Sequence, residues 1–293
     1  MRSPICHLES SIAGVAFNIA PEREADLVAL RTKYEFVIEL VDRRGFDIGI
    51  DVTKGVITLP IAGLEYLWTC AYNYWVVNQE YASAQHSGME TFDATGNPRL
   101  QVAARLIEWS TNNLHNTGVA PWPNNLPTPV LTPKPDSDVR VANELFLSAL
   151  GWIVHHEIGH VVLGHPPIVV SWSQQQEKDA DLYATDWIFS GLGQNDLRLR
   201  KRALGLAIAI LCLQSLKIRS IRSEHGSHPP AHARLGYCLE RYDFGQQEFI
   251  EAFAVVVLQL LFHGEGIKAN IHGESFRAIL GDFLFTIDRN GAP

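Results

Sequence analysis

From about Val139 to Gly164 the chain is apolar on almost every side, yet His156, Glu157 and His160 interrupt that run. A helix that is apolar all round belongs in a core. Imidazole and carboxylate groups are costly to bury unless they are hydrogen-bonded or bound to a metal. Any fold built on this helix must therefore bring partners to these three side chains. Residues four apart on a helix lie one turn above each other, so His156 and His160 share a face with Glu157 at its edge. His-Glu-x-x-His on a helix is a pattern that holds a metal between two imidazoles with a carboxylate alongside. It is short enough to recur by chance, and its surroundings have to decide. Gly159, inside the motif, costs helix propensity and implies close backbone packing, while Gly164-His165-Pro166-Pro167 reads as a stop signal just beyond it.

Zinc held by three protein ligands keeps a fourth position for water and lowers that water's pKa to about 7; an adjacent carboxylate takes the proton as the water attacks a carbonyl. Glu157 is the general base in this reading, with one Zn2+ per chain as cofactor. The third ligand is expected in Glu177-Lys178-Asp179-Ala180-Asp181-Leu182-Tyr183-Ala184. Glu177 lies far enough past His160 for the chain to turn through Pro166, Pro167 and Ser171 and return as an antiparallel helix. Asp181, one turn further along the same face, can then accept the outer N–H of a ligating histidine and fix its tautomer. The competing reading makes Glu177, Lys178, Asp179 and Asp181 a solvated charged turn near a helix N-terminus. His155 is rotated about 100° from His156 and cannot join its face. His165 falls beyond the helix end, and His263-Gly264-Glu265 and His272-Gly273-Glu274 read as loops or caps.

The order His156-Glu157-x-x-His160 followed by Glu177-x-x-Ala180-Asp181 resembles the gluzincin branch of zinc metallopeptidases, in which two helices supply His, His and Glu. Ser227-His228-Pro229-Pro230-Ala231-His232-Ala233-Arg234-Leu235 resembles the Ser/Thr-His-Pro…Arg element of the HtpX-type peptidases. That resemblance implies that His228 stabilises the tetrahedral oxyanion. It makes Arg234 a structural or anion-pairing residue on the helix that Pro229 and Pro230 begin. Read without the resemblance, His228 is a helix cap. Total length, the Glu-Ile-Gly-His wording and the Ser-His-Pro…Arg element are together most similar to the Lit-type phage-exclusion peptidases, over about residues 150–235. The resemblance implies a bacterial endopeptidase that attacks a host protein, in that family elongation factor Tu, when infection supplies an activating peptide or partner. The ImmA type, which cleaves repressors and carries a similar His-Glu-x-Gly-His, is a rival, over which the Ser-His-Pro…Arg element favours the Lit type.

Composition frames these readings. A chain of 293 residues with 46% apolar content can bury a sizeable core. Its net charge of −8 offers nucleic acid no overall attraction. Arg198, Arg200, Lys201 and Arg202, with Lys217, Arg219 and Arg222, flank an apolar run and read either as its solvated ends or as a docking site for an acidic partner. Cys6, Cys70, Cys212 and Cys238 form no Cys-x-x-Cys pair and read as reduced residues of a cytoplasmic protein. The apolar segments Ala203 to Leu213 and Ala252 to Phe262 are shorter than the roughly 20 residues of a membrane-spanning helix, and no secretory signal is expected.

The fold class expected is α+β, mostly α, with a zincin-like helical catalytic core and a small antiparallel sheet. Three regions are expected. Residues 1–118 hold the sheet and aromatic-rich helices; 119–137 are a proline-rich linker or strap; 138–293 form the helical metal-binding domain. Strands are expected over Tyr34 to Asp42, Asp47 to Thr53 and Val56 to Leu59, with turns at Arg44-Gly45 and Lys54-Gly55. An edge of this sheet is the candidate for holding a substrate backbone. Ile61 to about Gln85, bearing Tyr66, Trp68, Tyr72, Tyr74 and Trp75, reads as a core helix, followed by helices over Pro98 to Asn113, Gly245 to Phe262 and Glu274 to Ile287. The function these features imply is a zinc-dependent endopeptidase acting on a protein substrate, without nucleic-acid or membrane partners. The alternative from another class is a sensor or scaffold whose zinc only supports folding. Glu157 speaks against it, since a structural site is closed by a fourth ligand and needs no base.

Overall fold

The computed structural model describes residues 2–89, 92, 95–115, 121–167, 173–193, 196–219, 229–242, 247–268 and 272–291. Three short helices come first: α1 (Glu9–Ala13), α2 (Val15–Asn18) and α3 (Glu24–Tyr34). Strands β1 (Val37–Val41), β2 (Gly49–Asp51) and β3 (Val56–Pro60) follow, and the rest is helical: α4 (Ile61–His86), α5 (Pro98–His115), α6 (Asp138–Val162), α7 (Gln174–Phe189), α8 (Leu197–Arg219), α9 (Ala231–Glu240), α10 (Gln247–Gly264) and α11 (Phe276–Gly291). The architecture is mostly α with one small sheet, in the α+β class.

The strand order is β1-β3-β2, so the sheet is mixed, where the sequence suggested an antiparallel one. β2 and β3 form the expected antiparallel hairpin. Asp51 caps their turn by accepting from the Thr53 and Lys54 backbone N–H groups at 3.0 and 3.1 Å, and Gly55 closes it at φ +66°. The chain reverses twice between β1 and β3, so those strands run the same way. β3 alternates half-buried residues with the fully buried Ile57 and Leu59 and takes the centre, pairing in parallel with β1. β2 is left at an edge.

α6 lies at the centre and packs against α4, α7 and α8. Ser137 caps it by accepting from the Arg140 N–H at 3.3 Å, and Arg99 Nη2 on α5, donating to both Asp138 carboxylate oxygens at 2.9 and 2.8 Å, ties down its first turn. Among the described residues α6 is the helix long and apolar enough to cross a membrane by length and composition; Leu150, Val154, His155 and His160 on it are buried within the protein. The aromatic α4 is core, as expected. Its Trp68 donates to Asn143 Oδ1 at 2.8 Å, its Tyr66 donates to the Cys212 carbonyl at 3.2 Å, and both side chains are fully buried. The described part of the proline-rich stretch lies against this core. Trp122 packs on Trp109 and Trp68 with ring centroids 4.6 and 5.7 Å away, and Asn143 donates to the Val130 carbonyl at 2.9 Å. Of the basic residues before the α8 apolar run, Arg202, almost fully buried, and Arg198 both pair with Glu22, and Arg200 sits 3.7 Å over the Phe249 ring, while Lys201 is exposed. The side chains of Lys217 and Arg219, and all of Arg222, lie outside the described residues.

Candidate metal centre

The start of α7 is fixed by a reciprocal cap. Ser173 Oγ accepts from the Gln176 N–H at 3.2 Å, and the Gln176 side chain accepts from the Ser173 N–H at 2.9 Å. Glu177 and Asp181 then fall one turn apart on the face turned toward α6, and both are fully buried. The reading of Glu177 and Asp181 as a solvated turn does not fit that burial. Glu177 Oε2 lies 3.2 Å from His156 Nε2 and 3.9 Å from His160 Nε2, and the two ring nitrogens are 3.1 Å apart. Asp181 Oδ1 lies 2.8 Å from His156 Nδ1. Glu177 thus meets both histidines while the later Asp181 meets the earlier His156, the register of an antiparallel pair.

Metal–ligand bonds of 2.0–2.1 Å in tetrahedral geometry place ligand atoms about 3.3–3.4 Å apart. The His156, His160 and Glu177 atoms, all within 4.8 Å of one another, fit that requirement, and two imidazoles with one carboxylate are a donor set suited to zinc.

Each imidazole is also held from behind. Asp181 contacts His156 while receiving two hydrogen bonds from Arg234, at 2.8 and 2.6 Å, and one from the Tyr237 hydroxyl. Burial alone would raise the Asp181 pKa, but the Arg234 charge and the His156 contact hold it far below the usual carboxylate range. Burial likewise pushes His156 down, and the hydrogen bonds to Asp181 and Glu177 outweigh it, leaving the imidazole at about 9. A proton there occupies a nitrogen that a metal would need, so metal binding and protonation compete. His160 Nδ1 meets His165 Nδ1 at 2.8 Å.

Glu157 is buried beside the cluster, and its Oε2 has no hydrogen-bond partner among the described residues. Burial pushes its carboxyl up to about 7, helped by the Glu177 charge and opposed by His156, by a backbone hydrogen bond from Ile50 and by Arg234. The Ile50 bond places edge strand β2 next to Glu157. A carboxylate with raised pKa, one unsatisfied oxygen and a neighbouring triad of metal-type donors can take and return a proton near neutral pH.

Six residues singled out in the sequence, His156, Glu157, His160, Glu177, Asp181 and Arg234, meet at this one place. His228 lies outside the described residues, as do Ser227 and the His232 side chain. His155 points away from the cluster: it is buried, stacks on Trp187 with centroids 4.8 Å apart and reaches the Ala16 carbonyl at 3.0 Å. The sequence pointed to no role for Tyr237, and His165 was set aside there as lying beyond the helix end. Tyr237 follows Arg234 by three positions and so shares its face of α9, a signal the spacing carried. The capping box Ser173-x-x-Gln176 was equally available and would have fixed the α7 start.

The family model described as Peptidase U49 matches residues 57–254. A relative named cell death peptidase, from Escherichia coli (strain K12), is 43% identical over 293 residues, covering 99% of this chain and 99% of its own length. No solved structure matches the chain.

Proposed function

The chain belongs to the Peptidase U49 family and is a peptidase acting on protein, and from that premise we propose that it is a zinc endopeptidase of the gluzincin type. The observation that carries this reading is the convergence of His156 Nε2, His160 Nε2 and Glu177 Oε2 from two packed helices, with Glu157 buried beside them. In this reading those three residues hold one Zn2+. Bound zinc supplies Lewis acidity, bringing water into the range of neutral pH and polarising the scissile carbonyl.

The protein's own groups do the rest. Glu157 takes the proton from the attacking water and returns it to the departing amine, a role that its carboxyl at about 7 suits. Asp181 holds His156 in the tautomer that offers Nε2 to the metal, and Arg234 and Tyr237 hold Asp181. The outer edge of β2 has no strand partner among the described residues and lies beside Glu157, so an extended substrate can add to it by backbone hydrogen bonds in exchange for the Ile50 bond to Glu157. His228 keeps the oxyanion-stabilising role that the HtpX-like element implies.

We assign the activity to the cytoplasm and to a phage-exclusion response, since the E. coli relative is named a cell death peptidase and the motifs resemble those of the Lit type. Elongation factor Tu is the first candidate substrate, with an activating peptide as the trigger. Incubating elongation factor Tu with the zinc-loaded protein and the activating peptide tests this: a single cut made by wild type and not by E157Q is expected. No cut under any loading would remove this substrate.

A further inference from the structure

The end of α6 is built so that the chain folds back onto its own second histidine. The Gly164 N–H bonds the Val161 carbonyl at 3.1 Å, the His165 N–H bonds the His160 carbonyl at 2.9 Å, and Gly164 sits at φ +69°. These are the paired bonds of a Schellman motif, in which the second residue past the cap lies over the residue five positions before it. That contact is usually apolar. Here it joins two imidazoles, Nδ1 to Nδ1 at 2.8 Å, with ring centroids 5.0 Å apart.

The direction of the contact matters. His160 Nε2 faces His156 Nε2 and Glu177 Oε2, so Nδ1, on the other side of the ring, is the atom left for a positioning partner. His156 has such a partner in Asp181. We infer that His165 is the positioning residue for His160: His160 Nδ1 carries the ring proton and donates it to His165 Nδ1, which keeps the His160 Nε2 lone pair aimed at the metal. This rests on the zinc reading above and adds a residue to it. The backbone bond from His165 to His160 already fixes the chain, so aligning the two rings orders only side-chain torsions.

The test uses full-length wild type, H165N and H165F. It measures zinc affinity by chelator competition, ring tautomers in the zinc-loaded protein by long-range 1H–15N NMR, and melting of the metal-free forms. H165F, which keeps bulk but offers no acceptor, is expected to weaken zinc binding by about 10–100-fold. H165N, whose Oδ1 can accept, recovers most of that affinity, while the metal-free melting temperatures of the two variants stay alike. Wild type shows the proton on His160 Nδ1 and on His165 Nε2. Unchanged zinc affinity in H165F, or a proton on His165 Nδ1 in the loaded wild type, overturns the inference. If H165F does not fold, the wild-type tautomers decide alone. Wild type that binds no zinc at all overturns the underlying metal reading, a failure visible before any His165 variant is made.

Discussion

Glu157, His156 and His160 were legible because their types and spacing on an apolar helix admit few purposes, and Glu177 and Asp181 because a pair of carboxylates one turn apart followed at a reachable distance. What stayed hidden is how each imidazole is backed. His165 was discounted for lying past the helix end, yet a helix stop can place its residues over the last turn. E157Q should retain the metal and lose about 10²–10⁴-fold in turnover, read by peptide hydrolysis beside metal content. Full activity in E157Q would remove Glu157 as the base. D181N leaves the buried Arg234 without its carboxylate and should lower the unfolding free energy of the metal-free protein by about 3–5 kcal/mol, measured by denaturant titration. A change within error would mean that Arg234 finds another partner.

The site depends on how closely α6 and α7 approach, and Gly159 sets that distance. A Cβ at Gly159 would meet Tyr183 Cδ1 at 3.0 Å and the Ala180 Cα at 3.3 Å, and the second of these is backbone that cannot swing aside. G159V should therefore push α7 away, carry Glu177 from the histidines and weaken metal binding at least tenfold, measured by chelator competition. Wild-type affinity in G159V would show that the helix spacing is not limiting. The sequence signalled close packing at Gly159 and the helices themselves, since their apolar patterning is long and their stops are glycine and proline. Sheet pairing was less legible. Alternation marks a strand but not its neighbour: β3, with Ile57 and Leu59 fully buried, takes the centre, and the two reversals between β1 and β3 make their pairing parallel.

The whole molecule is bound together by long-range pairs that no local pattern reveals. Glu22, before α3, holds Arg202 on α8 by two hydrogen bonds at 2.5 and 3.0 Å, and Arg202 also donates to the Ile188 carbonyl at 2.7 Å. The Arg202 hydrogen bonds lower the Glu22 pKa from its ordinary 4.5, although partial burial opposes them. A carboxylate with a depressed folded pKa contributes stability above its unfolded value and loses it as pH falls through the folded one. E22Q should thus cost about 1–3 kcal/mol at pH 7, and its difference from wild type should shrink as pH drops below 4.5. A difference independent of pH would refute the ionic origin. Under the zinc proposal this peptidase works through one metal held by His156, His160 and Glu177. The most direct measurement is zinc per chain by elemental analysis on wild type, E157Q and E177A. About one zinc in wild type and in E157Q, with little or none in E177A, is the expected result; equal zinc in E177A, or none in wild type, would contradict it.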